Sequence, residues 1–327
     1  MAKLVLIVLA IAAVAGGGWF FLNYEIQRVT PNGWKIVPRK ATVGNGARGF
    51  AVDPPPAAPR STIRIASFQL GRFDETKLAA PQVADVLVSL FSTFDLVAVQ
   101  GVRGKNQGVL VHLIDQINAA TGRTYDFATC PTQQRDGLEH YSAFVFDLGT
   151  IEVDRSTVHF VEDPLGRLRI KPLAGSFRAR GPDPAEAFTF TLINVEVDAD
   201  RAAVELDLLA KAYRAVHKSR PNEDDVILLG DLESDDQHLG GLNRLFGVAP
   251  LLSGFPTTAR GTQLLDNILL DRRATCEFTG RVEVVDMMRQ FHLPLPAVLE
   301  ISEHLPVWAE FSVYEGGEAG HVLQNVH

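Results

Sequence analysis

From residue 62 onward the chain alternates between two hydrophobic periods. In TIRIASF the apolar residues Ile63 and Ile65 stand two apart, the spacing of a half-buried strand. Val83, Val86, Leu87, Leu90, Phe91 and Phe94 recur three and four apart, which places them on one face of a helix. The valine-rich block DLVAVQ reads as a strand covered on both faces. Leu110, Leu113, Ile114 and Ile117 predict a second helix, with Gly122 placed to end it. YSAFVFD and TFTLINVEV are further strands, and Ala202, Leu206, Leu209, Tyr213 and Val216 give a third helical face. DVILLGD, LDNILLD and the alternating Val307, Ala309, Phe311 and Val313 complete the strand set. Several segments between Phe144 and Val197 follow one another as strands without helices. That mixture predicts an α/β fold, a four-layer α/β sandwich of two packed mixed β-sheets flanked by helices.

The first 61 residues have a different pattern. No charged residue occurs between Leu4 and Tyr24, a stretch of the length needed to cross a bilayer, and Trp19, Phe20 and Phe21 sit where interfacial aromatics are favoured. Residues 1–24 therefore read as an N-terminal transmembrane helix. Ala13, Val14 and Ala15 also satisfy a signal-peptide cleavage pattern, so a cleaved leader is the competing reading. Lys3 favours a cytoplasmic start and an extracytoplasmic, periplasmic-side body, while Arg28, Lys35, Arg39 and Lys40 pull the other way. VTPNGW, NGARG and DPPPAAPR make residues 25–61 a Pro/Gly-rich linker with room for one short hairpin. The regular pattern spans 62–315, and 316–327 read as a flexible tail.

Composition bounds the function. The 327 residues carry 21% charged and 46% hydrophobic residues, ordinary globular material. A formal net charge of −8 argues against strong non-specific nucleic-acid binding, although a local basic patch is compatible with it. Cys130 and Cys276 fit no metal-ligand spacing and read as two buried free thiols or a single disulfide.

Polar clusters punctuate the strand ends: SFQLG (67–71), VQGVRG (99–104), LLGDLESDD (228–236) and ISEHLPV (301–307), with Asp266 in LLDNILL and Asn194 in LINVEV. In order and spacing these segments resemble the endonuclease/exonuclease/phosphatase superfamily, in particular its deoxyribonuclease I-like branch, over about residues 62–313. The resemblance implies hydrolysis of phosphodiesters or phosphomonoesters with a divalent cation, Mg2+ or Mn2+, held chiefly by carboxylates. It also implies a histidine–aspartate pair acting on water.

Position by position, the resemblance is incomplete. Gln69 stands where the family has asparagine, and Gly101 where it has its metal-binding glutamate. Asn194 replaces a histidine, and Glu233 the last residue of Gly-Asp-x-Asn. Gly230, Asp231 and Asp266 are retained, and Glu303–His304 takes the place of an Asp-His pair. Ile170 occupies an arginine position. The acidic position before YSAFVFD falls on Glu139 with one insertion, or on His140 without it. The catalytic candidates are thus Asp231, Asp266, Glu303 and His304. Gln69, Asn194 and Glu233 are substrate-binding candidates, and Glu233 is also a substitute cation ligand. Two functions are compatible with this set. One is a membrane-anchored, catalytically impaired member used for binding or scaffolding, with a phosphoester, nucleic-acid or protein partner. The other is an active hydrolase with a rewired site built on Asp231, Glu233, Asp266 and His304.

Overall fold

The computed structural model describes residues 24–30, 33–38, 61–104, 107–130, 133–135, 138–163 and 165–317. Residues 1–23 of the proposed membrane segment lie outside them, and among the described residues no helix is long and apolar enough to cross a membrane. The chain divides into two compact units, one up to Pro56 and one from Ala57. In the first, β1 (Tyr24–Thr30) and β2 (Gly33–Pro38) form an antiparallel hairpin, the element for which the linker had room.

The second unit holds two sheets. One contains β3 (Thr62–Phe73), β4 (Leu96–Gly104), β5 (Tyr125–Ala128), β6 (Gln133–Arg135), β7 (Leu138–Asp147), β14 (Phe278–Val284) and β15 (Val307–Ser312). Its order is β14-β15-β3-β4-β7-β5, with β6 paired to β7. The other contains β8 (Ile151–Phe160), β9 (Leu173–Ala179), β10 (Thr189–Glu196), β11 (Val226–Asp231), β12 (Val248–Pro250) and β13 (Asp266–Asp271), ordered β12-β13-β11-β10-β9-β8. Each sheet has one parallel pair at its centre, β3 with β4 and β10 with β11, and is antiparallel elsewhere. Parallel neighbours need a crossover, and helices supply both. After α1 (Glu75–Leu78), α2 (Pro81–Phe91) crosses from β3 to β4, and α4 (Ala202–Ser219) crosses from β10 to β11. Next to α2 lies α3 (Gly108–Thr121), which ends where expected: Gly122 adopts φ +67° and its N–H bonds Asn118 O at 2.9 Å. Near the end come α5 (Met287–Gln290) and α6 (Leu295–Ile301).

Strand periodicity sorts side chains into three cores. Outward-facing Phe68, Val97, Val99 and Val145 pack under α2, α3 and α6. Ile193, Val195 and Leu228 pack against α4 residues such as Leu206 and Leu209. Between the sheets lie Ile63, Ile65, Phe144, Phe190, Ile227 and Ile268. Aromatic rings bridge this layer: Phe188 stacks on Phe190 at 4.8 Å and on Phe311 at 5.7 Å. This is the sandwich that the sequence predicts. The reading left out the short β5, β6 and β12 and also β14, where Gly280 interrupts the alternation of Phe278, Val282 and Val284 on an edge strand. Cys130 and Cys276 are both free thiols, but only Cys130 is buried; Cys276 is exposed, against the expectation of two buried thiols.

The inner faces are apolar at one end and polar at the other. On β10, Phe190 and Leu192 are followed two and four residues on by Asn194 and Glu196. On β11, Ile227 and Leu229 lead to Asp231, and on β3, Ile63 and Ile65 lead through Ser67 to Gln69. Asn194 is where apolar gives way to polar. Fully buried, its Oδ1 accepts from Gln100 Nε2 at 2.7 Å, and its Nδ2 donates to Val99 O and Ala143 O at 3.1 Å each. All three partners belong to the opposite sheet. Asn194 therefore joins the two sheets where packing would otherwise leave buried backbone carbonyls unpaired. Asn194→Ala is expected to cost about 2–4 kcal/mol in denaturant unfolding. A loss under about 0.5 kcal/mol would mean that the neighbouring groups find other partners.

Candidate active site

The polar ends of five strands, β3, β4, β7, β10 and β11, and the segment before β15 border a cleft of about 470 Å³. Gln69, Arg103, His140, Glu196, Asp231, Glu233 and His304 are among its lining. Asp231 ends β11 and Asp266 begins β13, directly opposite it in antiparallel register. Asp266 Oδ2 accepts from Thr257 Oγ1 and lies 2.9 Å from His304 Nδ1. The other ring nitrogen, Nε2, lies 4.0 Å from Asp231 Oδ2. His304 is held from behind as well, since its backbone N–H donates to Ser302 Oγ, which donates to Gln69 O. The acid that orients His304 is thus Asp266 and not its chain neighbour Glu303, which is exposed at the cleft edge.

Glu233 follows Asp231 in a tight loop: its N–H donates to Asp231 Oδ1 at 3.0 Å and its φ is +48°. One donor atom each from Asp231, Glu233 and His304 lies within 4.8 Å of the others. Burial and then the charge of Asp266 push the Asp231 carboxyl well above the usual carboxylate range. Burial likewise raises Glu233. Burial works to lower His304, but the charge and hydrogen bond of Asp266, then Asp231 and Glu233, lift it to about 10. Asp266 Oδ1 is buried without a hydrogen-bond partner. An excess of clustered oxygen donors, with one orphaned, fits a divalent cation, and Asp231 and Glu233 are the residues to hold it.

Two cleft residues escaped the sequence reading as site candidates, and the strand period could have found them. Glu196 stands two residues beyond Asn194, hence on the same face of β10. It is Glu196, not Asn194, that reaches the cleft. His140, the ungapped choice at the acidic position, lies on the inner face of β7 and is only 6% exposed. Its Nε2 is 3.3 Å from Glu196 Oε1, while Glu196 Oε2 accepts the Gly101 N–H at 3.1 Å. A carboxylate from β10 therefore lies against the backbone of the very position on β4 that lacks one. The cleft contains a second histidine–carboxylate pair, with its partners on β7 and β10.

Gly101 itself has φ +75°, and a Cβ there would meet Gln69 Oε1 at 2.1 Å and Gly71 O at 2.3 Å. The cause is an irregularity in β3. Gln69 pairs with Gln100, but four residues later Phe73 pairs with Val102, so β3 bulges towards β4. Gln69 fills the space: Oε1 accepts from Gly71 N–H at 2.9 Å, and Nε2 donates to Asp231 Oδ2 at 3.5 Å. Basic groups complete the rim. Lys77 donates to Leu70 O at 2.7 Å, burial lowering its pKa, and Arg103 Nε is buried without a hydrogen-bond partner. Ile170 lies in the lining at the family's arginine position.

The fold that carries this cleft, two packed mixed sheets flanked by helices, is that of solved endonuclease/exonuclease/phosphatase family proteins. A member from Leptotrichia buccalis C-1013-b superposes with a TM-score of 0.54 at 10% identity, covering 76% of this chain and 99% of its own. One from Bacteroides vulgatus does so at 0.51 and 16%, covering 78% and 100%. In sequence the chain is similar to human deoxyribonuclease-1-like 2, 24% identical over 279 residues, 77% of this chain and 92% of that protein. Bovine deoxyribonuclease-1 is 23% identical over 263 residues, 75% and 91% of the two chains. No family model matches the chain. In sequence and fold the chain is thus similar to deoxyribonuclease I-like proteins and to proteins of the endonuclease/exonuclease/phosphatase family.

Proposed function

We propose that this chain is a metal-dependent phosphodiester hydrolase whose site has been rebuilt with residues from neighbouring strands. The observation that carries this reading is the His140–Glu196 pair, which faces the same cleft as His304–Asp266 and sets a carboxylate against Gly101. Taken alone, the changes at Gln69, Gly101 and Asn194 favour an impaired binding module. The pair on β7 and β10 favours turnover, because it returns one acid and one histidine to the cleft.

A divalent cation held by Asp231 and Glu233 would neutralise charge developing on the phosphate oxygens. The chain's own groups do the rest. Asp266 fixes the His304 ring with Nδ1 towards itself and, with Asp231 and Glu233, keeps it protonated, so Nε2 gives a proton to the departing oxygen. His140, steadied by Glu196, takes a proton from the attacking water. Arg103 and Lys77 at the rim attract the phosphate anion.

Nicking of supercoiled plasmid by the full-length protein in Mg2+, Mn2+ or chelator tests the proposal. Cleavage is expected to need the cation and to fall about 10- to 100-fold in Glu196→Gln, since the substitution removes the charge that steadies His140. If neither plasmid nor a small phosphodiester such as bis-p-nitrophenyl phosphate is cleaved, the binding-module reading replaces this one.

A further inference from the structure

At the opposite end of β11, roughly 20 Å from Asp231 by strand rise, three more carboxylates converge. Asp225 immediately precedes β11, Glu277 precedes β14, and Glu315 follows β15. One oxygen from each lies within 4.8 Å of the others. The backbone fixes their positions: Asp225 O accepts from Thr191 N–H and Glu277 O from Ser312 N–H, both at 2.8 Å, while Glu315 Oε2 accepts from Thr189 N–H at 3.1 Å. This is no solvated acidic surface, because Asp225 and Glu277 are each 1% exposed.

A second observation separates the group from an ordinary acidic cluster. Asp225 Oδ1 and Glu277 Oε2 are buried without any hydrogen-bond partner. Among the described residues, no lysine, arginine or histidine forms an ion pair with any of the three. Burial of orphaned carboxylate oxygens next to one another is costly and calls for a proton or a cation. Burial first, and then the neighbouring acids, raise all three carboxyls, Asp225 to about 9 and Glu315 to about 7.

We propose that Asp225, Glu277 and Glu315 form a calcium-binding site. The donors are all oxygens, which selects a hard cation. All three donors lie within 4.8 Å of one another, and a buried cage of protein carboxylates suits calcium better than magnesium, which keeps several of its waters. The buried Thr275 lies beside Asp225, where its hydroxyl would add a neutral oxygen. The ligands come from both halves of the sandwich, Asp225 from the six-stranded sheet and Glu315 from the end of the seven-stranded one. The ion thus acts as a clamp between the sheets, separate from the cleft.

Thermal unfolding of the chelator-stripped full-length protein, titrated with Ca2+ and in parallel with Mg2+, tests this. Ca2+ at a hundred times its dissociation constant is expected to raise Tm by about 5–10 °C, with a smaller rise in Mg2+. The half-buried Glu315→Gln is expected to fold and to lose most of that rise, as is Glu277→Gln. Asp231→Asn, in the cleft, is expected to keep it. A wild type with no Ca2+-dependent shift overturns the proposal. So does a shift that survives Glu315→Gln but disappears in Asp231→Asn.

Discussion

Asp231→Asn is expected to reduce phosphodiester cleavage by about a thousandfold while leaving the protein at least as stable as the wild type. Asp231 is 3% exposed at the end of β11, with Oδ2 4.0 Å from His304 Nε2. It belongs to the donor set with Glu233 and His304, and removing such electrostatic groups from a site costs about two to three orders of magnitude in rate. Stability responds in the opposite sense. The charge is buried beside Asp266, and both burial and that neighbour disfavour it. An isosteric amide keeps the shape and removes the repulsion, so Tm should hold or rise, the usual trade between activity and stability at a site. The pair of readouts matters. A lost rate with intact Tm identifies a catalytic group, whereas a parallel fall in both would reduce Asp231 to a structural one. A rate within threefold of wild type would remove it from the site altogether.

The second large effect concerns the position that lost its carboxylate. Gly101→Glu, which restores the family's acid, is expected to destabilise the protein by about 3–5 kcal/mol and to give no gain in rate. A side chain at φ +75° costs about 1–2 kcal/mol through its backbone conformation alone. The new Cβ would also collide with Gly71 O at 2.3 Å, and overpacking against main chain typically adds 1–3 kcal/mol. Gln69 Oε1, at 2.1 Å, can swing away; a strand carbonyl cannot without redrawing β3. Gly101→Ala separates the causes, since it carries the clash and the strain without the charge. Denaturant midpoints of the two variants within about 1 kcal/mol of wild type would show that β3 yields easily and that the site tolerates the lost acid.

Much of this molecule is legible in its sequence, and the limits have physical causes. Period-2 and period-3.6 patterns identify the buried strands and the three long helices because those elements each turn a face to a packed layer. β14 is missed because Gly280 interrupts the alternation of Phe278, Val282 and Val284, the residues that pack against the inter-sheet core. Asp231, Asp266 and His304 are found from their motifs, and they do meet. Their pairing is less visible: that Asp266 rather than Glu303 holds His304 depends on which strands are neighbours, and adjacent chain positions mislead. Asn194 stands at the family's histidine position yet joins the sheets, and the cleft-facing group is Glu196, one strand period further on. A reading that followed the period along each inner strand, and not the motif alone, would have reached it. That Gly101 admits no side chain could not be read at all, because the obstruction is the backbone of a different strand.

The strand order also has a consequence for how the protein is made. The six-stranded sheet, β8 to β13, comes from one unbroken run of chain, residues 151–271. Its partner does not: β3, near the start of the unit, has β15 as its neighbour, more than two hundred residues later. On a ribosome, β3 emerges early and must wait with one edge open until β15 leaves the tunnel, the condition under which nascent chains misassociate. His304 and the carboxyl-terminal strand arrive almost together. A nascent chain therefore acquires its six-stranded sheet first, and its cleft only once His304 and β15 have emerged.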